Sequence, residues 1–263
     1  MHLPQSESVF PLRDDIQSQR VPIVNYSLIA ACVLAYALQL NNPDGLVEEF
    51  GMIPARVSHP NLILTVQAQH SVQTPQGLEV TIVERQIPPS VFHPFTTLLS
   101  CVFLHGSVMH LVGNVWFLHI FGDNVEDRLG RFGYLGFCLV CGVAASFTHF
   151  AFQPESPVPT IGASGAVAGV MGAYLWLYPR AKVTTMIPIF FLLQLVVLPA
   201  PLFLGIWFVI QLVQGTFAMG SVPASGVAWW AHAGGFTFGF GIAWLFGRGA
   251  PNDRPRVRVL SAE

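Results

Sequence analysis

The longest stretch of the chain without a formal charge runs from residue 183 to residue 247 and contains 65 residues. Four further uncharged windows lie at 21–43, 86–122, 132–154 and 156–179. Only 10% of the 263 residues are charged, against roughly 25% in a soluble domain. A soluble fold of this size needs charge on its exposed helix faces, so the pattern argues against a soluble globular protein and excludes a disordered one. It predicts an all-α polytopic membrane protein.

Net charge, the N-terminal residues and the cysteines argue against three further features: nucleic-acid binding, a secretory signal and a redox or metal site. The net charge is −2 and the isoelectric point is about 6.5, so we expect no nucleic-acid partner. Residues 1–20 are polar and no short apolar region with a cleavage site follows them, so we expect no secretory signal. The four cysteines lie in or beside apolar segments, where they are better explained as small helix residues than as a redox or metal site.

Six segments are apolar and long enough to cross a bilayer, which requires about 20 residues. They are TM1 at 21–40, TM2 near 105–122, TM3 near 132–152, TM4 near 161–178, TM5 near 199–218 and TM6 near 228–246. The predicted organisation is therefore an N-terminal segment 1–20, a membrane domain 21–247 and a C-terminal tail 248–263. The apolar run 183–198 contains Pro188, and we interpret it as an interfacial segment or an early extension of TM5.

Lysine and arginine are divided unequally between the two sides of this bundle. Six spans place both termini on one side, and with that side inside only Arg56 and Arg85 lie outside. The inner set is Arg13, Arg20, Arg128, Arg131, Arg180, Lys182, Arg248, Arg254, Arg256 and Arg258. Positive residues favour the cytoplasmic side, so both termini are predicted to be cytoplasmic, as in a multi-pass protein of a bacterial inner membrane.

The long outer loop, residues 41–104, has two parts. Residues 44–60 are typical of an interfacial stretch. Residues 62–85 alternate between apolar and polar side chains around Thr74-Pro75-Gln76-Gly77, which predicts a β-hairpin, with a flexible excursion as the alternative.

Polar side chains inside the predicted spans are the candidates for chemistry. Taken singly, each is best explained by interhelical hydrogen bonding. They are His105, His110, Asn114 and His119 in TM2, His149 in TM3, Ser164 in TM4, Gln211 and Gln214 in TM5, and His232 in TM6. However, the even-numbered spans all run from outside to inside, so His110, Asn114, Ser164 and His232 reach comparable depth near the outer face.

These residues suit nucleophilic catalysis. Ser164 opens its helix, where backbone N–H groups lack intrahelical acceptors, and a neutral His232 could take the serine proton. His110 and Asn114 are spaced i, i+4 and can face one oxyanion. The spans contain no Asp or Glu, which predicts a Ser–His dyad rather than a triad, and HExxH is absent, which argues against a zinc protease. Glu155 lies on the same side, but nothing marks it as a partner of His232.

Glycines predict close packing of TM4 against TM6. His232, Gly235 and Gly239 share one face of TM6, and Gly165, Gly169 and Gly172 follow the same spacing in TM4. Small facing residues let two backbones approach, so that a short serine side chain can meet a histidine.

The chain resembles the rhomboid intramembrane serine proteases over about residues 90–247. The motifs that carry the resemblance are FLHGSVMHLVGN (103–114), FGDNVEDRLG (121–130), PTIGASGAVAGVMGAY (159–174), LGIWFVIQ (204–211) and AWWAHAGGFTFG (228–239). The resemblance implies a six-transmembrane-helix bundle, Ser164 as nucleophile and His232 as general base. It implies an oxyanion site formed by Asn114, His110 and Gly162. It also implies that Glu126 and Arg128 form a structural motif on the inner side.

The activity expected from the resemblance is cleavage of transmembrane segments of protein substrates within the lipid bilayer, without a cofactor or metal. The TM5 and 219–227 side is the expected substrate gate. His105 is expected to brace the outer loop.

Two other functional classes are weighed against an intramembrane protease. A non-catalytic protein that binds transmembrane helices would use the same pocket without turnover, and a transporter would usually carry charges inside the membrane, which the spans lack.

Overall fold

A computed structural model describes residues 10–74, 77–189, 192–218 and 227–246 of the chain. Within these residues the chain is mainly helical, with two small antiparallel sheets at the ends of the helices. The predictions for residues 1–9, for most of the 219–227 side and for the C-terminal tail lie outside the described residues.

The main helices coincide with the predicted apolar segments. Five of the six begin and end within three residues of the prediction. They are α1 (Ile23–Gln39), α7 (Arg131–Phe152), α8 (Ser164–Leu177), α9 (Ala200–Phe217) and α10 (Trp229–Phe246). TM2 is more complex: it comprises α5 (Val108–Phe117), a π-helical turn (Leu118–Gly122) and α6 (Asp123–Leu129).

Some of these helices are long and apolar enough to be candidate membrane spans. Among the described residues, α7 and α9 are each long and apolar enough to cross a bilayer. Pro94–Phe103 and Val108–Leu129 pass together as a pair bent by 80°. Helices α1 and α8 are apolar but shorter. The chain is thus rich in apolar helices of the membrane type, and the count of six spans stays a prediction.

The π-helical turn has a visible cause in Asn25, a fully buried residue of α1. Its side-chain amide donates to the carbonyl oxygen of Leu118 at 2.9 Å and accepts from the Tyr134 hydroxyl at 2.8 Å. A side chain on Gly122 would collide with Asn25. The widened turn therefore accommodates an inserted polar side chain whose nitrogen and oxygen each have a hydrogen-bond partner within the protein.

The outer loop contains two short helices, α2 (Pro43–Phe50) and α3 (Pro54–Ser58), and then a hairpin. Strands β2 (Leu64–Thr74) and β3 (Gly77–Ile87) pair in antiparallel register from Leu64↔Ile87 to Thr74↔Gly77. The predicted hairpin at 62–85 is confirmed. Two 3₁₀ turns, Pro94–Thr96 and Cys101–Phe103, flank α4 (Thr97–Ser100) on the way to α5.

The apolar run 183–198 forms a second hairpin, so an early extension of TM5 was wrong, whereas its interfacial position stays a prediction. Strands β4 (Lys182–Ile189) and β5 (Leu192–Pro199) pair with each other, and β4 also pairs with β1 (Phe10–Asp14) near the N-terminus. The run is rich in β-branched residues, and Pro188 lies one pair from the end of the ladder, where a missing N–H is tolerated. The hairpin satisfies backbone polar groups that an isolated interfacial strand would leave unpaired.

Helix α8 lies at the centre of the molecule and packs most closely against α10. A Cβ atom placed on Gly235 would collide with the backbone of Gly165, and one on Gly239 would collide with the backbone of Gly169. The two helices therefore touch backbone to backbone, as the glycine spacing predicts. This contact brings the beginning of α8 next to the beginning of α10.

Candidate active site

Ser164 is the first residue of α8, as the sequence predicts. The chain that leads into it is held by backbone hydrogen bonds to the outer loop, so the position of the serine is fixed before the helix begins. These bonds are Ala55 N–H to Ser156 O (3.0 Å), Met52 N–H to Thr160 O (3.1 Å), Thr160 N–H to Met52 O (2.7 Å) and Gly162 N–H to Cys101 O (2.9 Å).

His232 lies in the first turn of α10 and faces Ser164 across the glycine contact. Its Nε2 lies 2.8 Å from Ser164 Oγ, which is hydrogen-bonding distance for a base and a nucleophile. The structure therefore brings together the two residues that the sequence singles out from separate spans, 68 residues apart in the chain.

The other ring nitrogen of His232 has a partner that sequence reasoning did not assign. Nδ1 lies 2.8 Å from Oε1 of Gln211, a buried residue of α9. The sequence marks Gln211 as one of the polar residues of TM5 and as the last residue of the LGIWFVIQ motif, without a role in either case. Gln214, one turn further along the same helix, is exposed. Glu155 lies elsewhere, with its Oε2 3.5 Å from His59 Nε2, so the partner of His232 is an amide.

Two side-chain nitrogens converge on the space above Gly162. A Cβ placed on this glycine would lie 2.6 Å from His110 Nε2 and 3.7 Å from Asn114 Nδ2. Asn114 is buried, and its Nδ2 has no hydrogen-bond partner among the described residues. His110 Nδ1 accepts from the Gly106 N–H at 3.4 Å, which leaves the proton on Nε2. The two nitrogens thus lie within 4 Å of one point above Gly162, two residues before Ser164, and this convergence suits an oxyanion.

Gly162 serves this arrangement through its backbone conformation. Its φ is +124°, a value that favours glycine, and a side chain there would strike His110. Its N–H already donates to Cys101 O, so it is not free to donate to an oxyanion. The first N–H groups of α8, from Ser164 onward, have no acceptor within the helix and begin two residues after Gly162.

The remaining histidines of the bundle lie outside this cluster of donors. His105 is buried, its Nδ1 lies 3.2 Å from Phe103 O, and its backbone exchanges two hydrogen bonds with Gln39. It therefore braces the outer loop against α1. His149 is buried on α7, and His119 lies in the π-helical turn. No group of three or more His, Cys, Asp or Glu that could hold a metal ion occurs in the described part of the chain.

Glu126 acts at the opposite end of the molecule. Its carboxylate accepts hydrogen bonds from the N–H groups of Val24 (3.1 Å) and Asn25 (2.7 Å), in the first turn of α1. The neighbouring Asp127 accepts from Ser18 Oγ at 3.0 Å and from the Arg20 N–H at 3.1 Å. A carboxylate at a helix N-terminus stabilises the unpaired N–H groups there. Residues around Arg128 thus hold the N-terminal segment in place.

Comparison with known proteins finds one matching family and several relatives. The family profile of the Rhomboid domain matches residues 93–249. RHOMBOID-like protein 4 of Arabidopsis thaliana is 29% identical over 176 residues, covering 60% of this chain and 38% of its own length. Rhomboid protein 1, mitochondrial, of Saccharomyces cerevisiae is 26% identical over 165 residues, covering 61% of this chain and 44% of its own.

A relative whose name states an activity is the rhomboid protease GluP of Bacillus subtilis. It is 38% identical over 79 residues, which is 30% of this chain and 15% of that protein. The matched segments thus span less than half the length of each of these relatives.

Proposed function

We propose that this chain, which belongs to the rhomboid family, is an intramembrane serine endopeptidase that cleaves transmembrane segments of other membrane proteins. The observation that carries the proposal is the 2.8 Å contact between Ser164 Oγ and His232 Nε2, next to the two donors above Gly162. A histidine at this distance from a serine is the arrangement that activates a hydroxyl for attack on a carbonyl carbon.

The reaction follows from the geometry. Ser164 Oγ attacks the scissile carbonyl carbon while its proton passes to His232 Nε2. The carbonyl oxygen becomes negative and receives hydrogen bonds from Asn114 Nδ2, His110 Nε2 and the N–H groups at the beginning of α8. His232 then donates its proton to the leaving amine, and an acyl-enzyme remains on Ser164. A water molecule then attacks the acyl carbonyl carbon while His232 Nε2 takes its proton. The bond from the acyl carbon to Ser164 Oγ breaks, His232 returns the proton to Oγ, and the acyl chain leaves as a carboxylic acid.

The site requires a peptide in extended conformation, because the carbonyl must enter the space between Ser164 and Asn114. A substrate helix must therefore unwind where it is cut, and helix-weakening residues near the cleavage point should accelerate cleavage. We place the site near the outer face of a six-span bundle in a bacterial inner membrane with both termini cytoplasmic. The division of ten Lys and Arg against two supports this orientation.

The decisive experiment pairs a covalent probe with substrate cleavage. Purified wild type in detergent should react with a fluorophosphonate at Ser164 and should cleave a reconstituted membrane protein with one transmembrane helix. Ser164→Ala should abolish both signals, and Ser27→Ala, at an exposed serine of α1, should leave both unchanged. A protein that only binds transmembrane helices would retain the substrate without labelling or cleavage. A Ser164→Ala variant that still cleaves would refute the proposal.

A further inference from the structure

The imidazole of His232 is held at both of its nitrogens. Nε2 lies 2.8 Å from Ser164 Oγ on α8, and Nδ1 lies 2.8 Å from Gln211 Oε1 on α9. The amide nitrogen of Gln211 in turn donates to the carbonyl oxygen of Trp207, one turn back in α9, at 3.0 Å. One continuous series of hydrogen bonds therefore connects α9, α10 and α8 through the proposed base.

This series admits one arrangement of protons on the neutral ring. Trp207 O can only accept, so the NH₂ group of Gln211 must face it, and the amide oxygen must face His232. The amide oxygen can only accept, so Nδ1 of the ring must carry the hydrogen. A neutral imidazole has one N–H, which leaves Nε2 as the acceptor for the Ser164 hydroxyl. If the amide of Gln211 were turned over, its oxygen would lie 3.0 Å from the carbonyl oxygen of Trp207, and its NH₂ group would face His232 Nδ1.

The surroundings of the ring restrict it further. Gln211 is 4% exposed, so water does not compete for its amide. The ring of Trp229 stands edge-on to the imidazole with centroids 6.2 Å apart, and that of Trp207 lies 5.9 Å away. In such an apolar place an amide has an advantage over a carboxylate. It supplies the acceptor that Nδ1–H needs without the cost of burying a formal charge.

We propose that Gln211 is the positioning residue of the Ser164–His232 pair, selecting the Nδ1–H tautomer and directing Nε2 at the serine. This proposal rests on the proposed function, since it assigns a third member to the same site. When His232 takes the serine proton, Gln211 Oε1 accepts from the imidazolium, so the interaction strengthens as the reaction proceeds. Gln211 acts through His232 and does not touch the reacting carbonyl.

The test compares four forms of the full chain: wild type, Gln211→Met, Gln211→Glu and Gln214→Met. Methionine keeps the length of the side chain and removes the acceptor. Glutamate restores an oxygen toward Nδ1, and when protonated its hydroxyl can donate to Trp207 O as the amide does. Gln214 is the matched control, because it is the same residue type on the same helix but is exposed.

Turnover should separate the four forms. We expect Gln211→Met to lower kcat by about 10²-fold or more with KM within about twofold, since loss of the correct tautomer costs about 10⁴-fold in a triad. Gln211→Glu should recover at least about tenfold of that loss, and Gln214→Met should match wild type. A Gln211→Met variant with wild-type kcat would overturn the proposal, and so would a Gln211→Glu variant as slow as Gln211→Met.

A readout independent of activity separates this proposal from the proposed function. The ¹⁵N shifts of the His232 ring, identified by their loss in His232→Gln, should show the Nδ1–H tautomer in wild type and a mixture in Gln211→Met. If wild type shows this tautomer but neither labels nor cleaves, the proposed function fails and the role of Gln211 in setting the tautomer stands. A wild-type ring with its hydrogen on Nε2 overturns the role of Gln211 even if the protein is an active protease.

Discussion

Alanine at Gly235 tests the contact that brings α8 and α10 together. A Cβ atom at this position would lie 2.9 Å from the carbonyl carbon of Gly165 and 3.3 Å from its Cα, and closer still to the carbonyl oxygen. Ordinary contact begins at 3.4 Å. The obstacle is backbone, so no side chain can rotate away, and the two helices must separate by on the order of 1 Å.

That separation has two measurable effects. Overpacking of this kind costs about 1–3 kcal/mol of unfolding free energy. The Ser164–His232 contact, 2.8 Å long, joins the same two helices one turn away, and an added 1 Å or so would take it beyond hydrogen-bonding distance. Loss of the base would slow reaction of Ser164 with a fluorophosphonate by about 10²-fold or more.

Gly241→Ala is the matched control for this prediction. Gly241 lies on the same helix, but a Cβ there would meet nothing within 4 Å. Alanine should therefore be neutral or stabilise α10 by about 0.5–1 kcal/mol. Both variants would be compared by unfolding in mixed micelles and by the rate of probe labelling. If Gly235→Ala unfolds and labels as Gly241→Ala does, the backbone contact between α8 and α10 does not position the site.

Three further predictions concern other parts of the molecule. Asn114→Ala should lower kcat by about 10²–10³-fold, equivalent to 2.7–4 kcal/mol, with little change in KM, and an unchanged kcat would remove Asn114 from the oxyanion site. Glu126→Ala should lower the unfolding free energy by about 1–3 kcal/mol, because two N–H groups of α1 lose their acceptor, and a denaturant titration that matches wild type would contradict this. Burial raises the pKa of Asp14 from its ordinary value of 3.8 to about 7, even though the Tyr174 hydroxyl donates to it at 2.5 Å. The native chain then holds a proton that the unfolded chain has lost, so stability should fall as pH rises from about 4 to about 7 and then level off. Asp14→Asn should remove this slope when the unfolding midpoint is measured against pH, and an unaltered slope would exclude Asp14 as its source.

The main helices were predictable because continuous apolar runs bounded by charges admit few alternatives in a bilayer. The hairpin at β2 and β3 was predictable because its alternation has a period of two. The sheet of β1, β4 and β5 was not. Strands β4 and β5 lie in one mainly apolar run without a clear period of two, and β1 comes from about 170 residues earlier in the chain, so no local pattern predicts the pairing.

The residues of the candidate site also divide into those that could be predicted from the sequence and one that could not. Ser164, His232, His110 and Asn114 were identified from residue type and depth, and the structure brings them together. Gln211 was noted only as one polar residue among several in the spans. A hydrophobicity pattern does not tell which side of an apolar helix faces the bundle, so Gln211 and Gln214 were equivalent until α9 was placed against α10.

The sheet formed by β1, β4 and β5 gives α9 one fixed end. Ala200 is fully buried and its N–H donates to Ala181 O at 2.8 Å, whereas Phe217 at the other end is 80% exposed. A tilt of α9 about this fixed end would displace the residues furthest from the sheet the most. Gln211 lies about 16 Å along α9 from Ala200, so a tilt of about 10° would displace it by about 3 Å. A displacement of this size would break the 2.8 Å hydrogen bond between Gln211 and His232. Any displacement of α9 of this size would leave Nδ1 of His232 without its acceptor, so the geometry of the imidazole depends on how α9 is seated against α10.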